Sequence, residues 1–373
     1  MKKGLSVLLV LSFIAFGLAG CGAPAPESTP ALSSAPAQTA TPAAATPTPT
    51  ADMSAPSEAP DEPVQVEEQE GRYIGEGATV DVGGMSVTSE WLPMQYAIWG
   101  SERQTVYAAA TEASIYVLVG GRISEFIDKN GVLVLAREFP DIVPETENAT
   151  YSSINVGSNE SLVLTCGAHY NACILRDGKK VAANPERLRI NNLVMHPSGT
   201  WGVTSWVDVE DLAKVTTAND TFAVEPYEGL FAEMASASCV GISEKHIMLS
   251  GKSVETENSP VFVYALEGNL ALTLGDVKSG DGKLWSTRSA VETSNGYVIG
   301  GNFGDLTFFD LQGNYLGSYG GAGMFGEGTN GKGSTWLSSL ELMPNGDILV
   351  AMSVTLTADD TQGDVTLFRV SGF

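Results

Sequence analysis

Four groups of residues have types and spacings that chemistry could use. The first is GSYGGAGMFGEGTNGKGSTW, residues 317–336, which carries GxGxxG at Gly321–Gly326 and again at Gly326–Gly331. Gly326–Gly333 comes within one residue of the phosphate-loop pattern GxxxxGK[ST]. A phosphate loop hands its anion to the N-terminus of a following helix. Here Gly333 stands where that pattern needs Ser or Thr, and the next segment, TWLSSLELM, has the composition of a strand. Nucleotide binding is not expected. The second group is the three histidines, His169, His196 and His246, which are far apart and lack metal-ligand spacing. The hydrolase signatures GxSxG and HExxH are absent. The third group is the cysteines. Cys166 and Cys173 flank GAHYNA on neighbouring expected strands, close enough for a disulfide if their side chains share a face. Cys239 opens an apolar strand and reads as a buried thiol. The fourth group is acidic: WVDVEDLAK (206–214), KSVETENSP (252–260), TLTADDTQGD (355–364) and DIVPETEN (141–148). Asp208, Glu210, Asp211, Glu255, Glu257, Asp359 and Asp360 are the candidate ligand-facing carboxylates, and Lys332 is a lone cation near them. No stretch has EF-hand spacing. No cofactor is expected; Asp359, Asp360 and Asp364 form the one weak calcium candidate.

These groups are held by a repeat. Six segments align: YAAATEASIYVLV, INVGSNESLVLTC, LVMHPSGTWGVTS, CVGISEKHIMLSG, AVETSNGYVIGGN and LELMPNGDILVAM. Each reads as a short strand, a tight turn and an apolar strand. Their turn centres, Glu112, Asn159, Ser198, Glu244, Asn295 and Asn345, are spaced by 47, 39, 46, 51 and 50 residues. Asn295-Gly296 and Asn345-Gly346 are hairpin signals because both residue types tolerate positive φ. A second hairpin follows in most units, as in EFIDKNGVLVLAREF and ACILRDGKKVAA. Four strands per period of this length predict an all-β, six-bladed β-propeller; a seven-bladed ring is the second choice. The sixth unit ends early, at DVTLFRVSGF, and leaves an edge open. A strand within 72–91, RYIGEGATV or GMSVTSEW, is predicted to complete it.

MHPSGTWGVTS and LMPNGDILVAM resemble the first turn of WD40-like and NHL-like propeller repeats. FVYALEGNLALTLG is similar to the outer hairpin of quinoprotein-type repeats, although no quinone-cofactor and calcium site is seen. The resemblance implies a fold, not an activity. It also implies that loops between second and third strands, and loops between blades, share one face at the channel mouth. The acidic loops would converge there, with the glycine-rich loop as a lid or wall.

The N-terminus sets the compartment. Lys2 and Lys3 precede an apolar run that is short for a membrane span, and the run ends in Leu18-Ala19-Gly20-Cys21. This resembles the bacterial lipobox, which implies cleavage before Cys21, lipidation of its thiol (diacylglycerol, with palmitate-type acyl chains) and an extracytoplasmic protein anchored to the cell membrane. Residues 21–70 contain ten of the eighteen prolines and no Lys or Arg, and read as a disordered spacer. The domains are therefore 1–20 signal peptide, 21–70 linker and 71–373 propeller. Of the net charge of −24, residues 1–20 carry +2 and residues 21–70 carry −8, which leaves −18 on the propeller. Such a surface excludes nucleic-acid binding through a basic patch. A monomer that binds a protein, peptide or glycan without catalysis is expected. The alternative is a glycan hydrolase or lyase using paired carboxylates.

Overall fold

The computed structural model describes residues 77–96, 98–101, 106–139, 142, 151–166, 171–183, 192–204, 212–226, 234–253, 258–276, 280–320, 324–325, 335–354 and 362–373. Six small antiparallel sheets form the blades of a six-bladed β-propeller. From the axis outward, blade 1 is Val106–Ala110, Ile115–Val119, Arg122–Lys129 and Val132–Glu138. Blade 2 is Ser153–Val156, Leu162–Cys166, Asn171–Arg176 and Lys179–Ala183. Blade 3 is Val194–Met195, Trp201–Thr204, Ala213–Thr216 and Ala223–Pro226. Blade 4 is Met234–Ile242, His246–Ser253, Val261–Ala265 and Leu270–Leu274. Blade 5 is Thr287–Glu292, Gly296–Gly301, Leu306–Asp310 and Tyr315–Tyr319.

Blade 6 begins with Thr335–Leu342, Ile348–Val354 and Gln362–Ser371. Met85–Trp91 then pairs with Gln362–Ser371, and Ala78–Val82 pairs outside it. Both N-terminal segments that were expected to supply a closing strand therefore contribute. Trp99–Ser101 adds a short pairing to the same strand. Arg369 Nε donates to Glu90 across the junction (3.1 Å), and Val82 and Val87 are fully buried there.

The second strand of each blade is apolar at consecutive positions because a blade is covered on both faces. Side chains alternate along a strand, so successive residues enter different seams. Ile348, Val350 and Met352 pack with blade 5, whereas Leu349 and Ala351 pack with blade 1. Ile247 and Leu249 face blade 3, and Met248 faces blade 5. Each seam owns one apolar cluster, and the cluster joining blades 6 and 1 closes the ring. Burial of each such side chain is worth about 1.5–3 kcal/mol, so the seams, rather than the ladders alone, hold the blades together.

The turns correct one expectation. Two-residue turns with positive φ at both positions occur at Asn130-Gly131 (φ 56 and 85) and Asp177-Gly178 (φ 49 and 74), in second hairpins. Asn295-Gly296 is not such a turn. It belongs to a longer loop closed by Thr293 N donating to Gly296 O (2.8 Å), and Gly296 has no positive φ. Glycine is needed there for space: a Cβ would lie 2.0 Å from the Phe309 carbonyl oxygen. At Asn345-Gly346 only the glycine has positive φ (88).

The disulfide expectation also changes. Cys166 pairs in register with Asn171, and Cys173 with Leu164, so the two lie diagonally rather than opposite each other. They are separate buried thiols, and Cys173 Sγ bonds Tyr151 Oη (3.2 Å). Cys239 is buried as expected, and burial pushes its thiol up to about 12.

Candidate functional site

The innermost strands carry small side chains, among them Ala108, Ala110, Ser289, Ala290, Ser338 and Ser339, which leave room along the axis. An innermost strand has an unpaired edge, whose N–H groups need acceptors. Neighbouring blades supply serines. Val106 N donates to Ser338 Oγ (3.0 Å) and Ala108 N to Ser339 Oγ (3.2 Å). Leu340 N donates to Ser289 Oγ (3.1 Å), which donates back to Leu340 O (3.3 Å). The result is a rigid cavity of about 980 Å³ along the axis. That is the upper end of the range for small-ligand sites.

One end of the cavity is bridged. Arg288 is the second residue of the inner strand of blade 5, Tyr107 the second of that of blade 1, and blade 6 lies between them. Arg288 Nη2 donates to Tyr107 Oη (2.9 Å), with the guanidinium carbon 5.9 Å from the ring centre. Among the described residues Arg288 forms no ion pair. On the wall, Glu341 of blade 6 is half-buried and lines the cavity, and burial pushes its carboxyl up to about 8. It is therefore largely protonated at neutral pH.

The rim is made of the first-hairpin turns. Exposed Glu112, Glu160 and Glu244 stand there with Lys245. Two histidines brace the same turns. His246 Nδ1 donates to the Glu292 carboxylate (2.8 Å), which also accepts from the Ser243 hydroxyl, so the group ties blade 4 to blade 5. His196 stacks on Trp201 (4.6 Å, 20°) and accepts from Ser198 N at Nδ1 (3.1 Å). Both histidines are occupied by structural contacts. No group of three or more potential metal ligands occurs among the described residues.

The sequence-predicted mouth falls outside the described residues. Asp208, Glu210, Asp211, Glu255, Glu257, Asp359, Asp360 and Lys332 lie outside the described residues, as do Cys21 and His169. Asp364 lies in the third strand of blade 6, Gln362–Ser371, and is buried there. Of the glycine-rich loop, Met324 and Phe325 are described. Both are fully buried in the seam between blades 5 and 6, with Phe325 4.7 Å from the Phe368 ring. On the strand ends away from the cavity rim, Trp285 and Phe303 are 75% and 67% exposed, and Lys283 Nζ sits over the Trp285 ring (3.8 Å).

Sequence reasoning missed Tyr107, Arg288 and Glu341. The available signal was a charged or phenolic residue inside a strand otherwise built of small and apolar residues, as in TRSAVE and SSLELM. Reading it required knowing which strand faces the axis. No protein-family model matches the chain, and no curated protein matches it. Among the described residues no helix is long and apolar enough to cross a membrane.

Proposed function

We propose that this protein is an extracytoplasmic lipoprotein, acylated at Cys21 and anchored to the cell membrane, whose propeller binds a ligand without transforming it. The axial cavity carries the reading: it is large and framed by strands, and the histidines near it are tied up in bracing the turns. The lipobox-like Leu18–Cys21 and the proline-rich segment 21–70 support the tethering, because they would hold the propeller off a membrane surface. A peptide is the favoured ligand, ahead of a whole protein or a glycan, because the cavity runs along the axis inside a ring of turns rather than lying on a flat face. The full-length protein should capture its ligand from an envelope extract. Ser294→Trp, which places an indole at the rim, should abolish capture without changing the melting temperature. Undiminished capture by that variant would remove the channel from the account. Labelling with radioactive palmitate should be lost in Cys21→Ala.

One observation favours a second reading. A carboxylic acid held protonated at neutral pH, Glu341, shares the cavity with a second carboxylate, Glu292. Glycan hydrolysis uses such a division between acid and base. That reading predicts release of reducing ends from envelope glycans by the wild type and none by Glu341→Gln.

A further inference from the structure

The Arg288 end of the cavity carries a positive charge. The Arg288 guanidinium has five N–H donors, and among the described residues it has one protein acceptor, the Tyr107 hydroxyl. It is half-buried and lacks a carboxylate within ion-pairing distance among the described residues, although this domain has acids in excess. A sheltered guanidinium without a counter-ion favours an anion, and its fork geometry suits a carboxylate. Glu341 lines the same cavity and is kept largely neutral at pH 7 by burial, so it does not oppose an incoming anion.

The rim of first-hairpin turns has the opposite sign. Glu112, Glu160 and Glu244 stand exposed on three different turns, against the single Lys245. A simple anion would be repelled on entry, whereas a molecule with a cationic end and an anionic end satisfies both. The distance between the ends sets its length. Arg288 is the second residue of its strand, and Ser294 stands at the rim. Six strand residues cover about 20 Å, at roughly 3.3 Å each.

We propose that the channel binds an extended peptide of about five or six residues, with its carboxylate on Arg288 and its amino terminus among the rim glutamates. This rests on the binding reading above and assigns the ligand class for that site. The serine-bridged inner strands have their edge donors occupied at Ser289, Ser338 and Ser339. Those backbone donors of blades 1 and 6 are therefore not open to a ligand, and the charged recognition falls on its two termini.

The test uses the full-length protein and three forms of the hexapeptide Gly-Ala-Gly-Ala-Gly-Ala: the free acid, the carboxy-terminal amide and the amino-acetylated acid. Calorimetric titration should show the free acid binding at least tenfold more tightly than the amide. Acetylation should weaken binding several-fold. Arg288→Gln should remove the preference for acid over amide, and Arg288→Lys should retain part of it. The comparison of acid with amide in the wild type needs no variant, so it stands even if Arg288→Gln fails to fold. Equal binding of acid and amide would overturn the proposal. So would no binding of any form, or a preference that survives in a folded Arg288→Gln. If the peptides fail while Ser294→Trp still blocks capture from an envelope extract, the channel remains the ligand site and the carboxylate inference falls alone.

Discussion

Glu341 connects the chemistry of one residue to the stability of the ring. Its carboxyl, ordinarily near 4.5, is pushed up to about 8 by burial. The folded protein therefore keeps a proton that the unfolded chain releases across the interval between those values. Stability should fall as pH rises through that interval and level off above it, at up to about 1.4 kcal/mol per pH unit. The cavity gives the side chain some access to water, which reduces the total to about 1–3 kcal/mol. Glu341→Gln removes the ionisation and keeps the shape. Its melting temperature should match the wild type at pH 4.5 and exceed it at pH 9. Parallel melting curves at the two pH values would show that the carboxyl ionises in the fold at no cost. This residue was hidden in the sequence for a physical reason. An acid in SSLELM has the same composition whether it points to solvent or to the axis, and a strand has only two faces. The bulge between Leu337 and Ser339 shifts the phase just before it. The acidic loops, by contrast, were conspicuous in the sequence because they are long and highly charged.

At the scale of the element, the blades were legible because each repeats a turn at a near-constant interval, and all six first-hairpin turns fall where the repeat put them. The missing strand of the last blade was legible too, since an open edge in a closed ring must be filled. What the sequence obscured was the conformation of individual turns. Asn-Gly has the same signature whether both residues take positive φ or the glycine only admits a neighbouring carbonyl, as at Gly296. The closing strands give a direct test. Val82 and Val87 are fully buried in the seam between blades 5 and 6, and Ser89 Oγ donates to the Met324 carbonyl. A chain starting at residue 77 should melt like the full-length protein. A chain starting at residue 92 loses two buried valines, each worth about 1.5–3 kcal/mol, and exposes the edge of Gln362–Ser371. It should melt markedly lower and self-associate. Equal melting temperatures would show that the ring closes without its N-terminal strands.

At the scale of the molecule, the six seams are unequal, and a ring opens at its thinnest one. The seam between blades 5 and 6 gathers large side chains such as Phe308, Phe325 and Phe368. The seam between blades 2 and 3 is built on Val163, Ala172, Ile174, Leu193, Met195 and Val215, and among the described residues its one aromatic ring, Phe222, is only half-buried. Blade 3 also has the shortest inner strand, Val194–Met195. One charged contact reinforces this seam: Arg176 Nη1 and Nη2 donate to the two carboxylate oxygens of Asp220 (2.7 and 2.6 Å). Both side chains are about one-third exposed, 34% and 29%, which places the bridge near the weak, solvent-screened end of the scale, at about 1 kcal/mol. Local opening free energies follow buried apolar contact. Native-state hydrogen exchange should therefore find the amides of Trp201–Thr204 and Ala213–Thr216 opening at lower free energy than those of Gly296–Gly301 and Ile348–Val354. Asp220→Asn should widen that gap by up to about 1 kcal/mol and leave the protection of blades 5 and 6 unchanged. A ligand that spans the channel and touches the rim turns of several blades would raise protection at the weak seam most, because that is where the unliganded ring gives way first. Uniform exchange of all six blades through one global opening would mean that closure makes the ring a single cooperative unit and cancels the difference between seams.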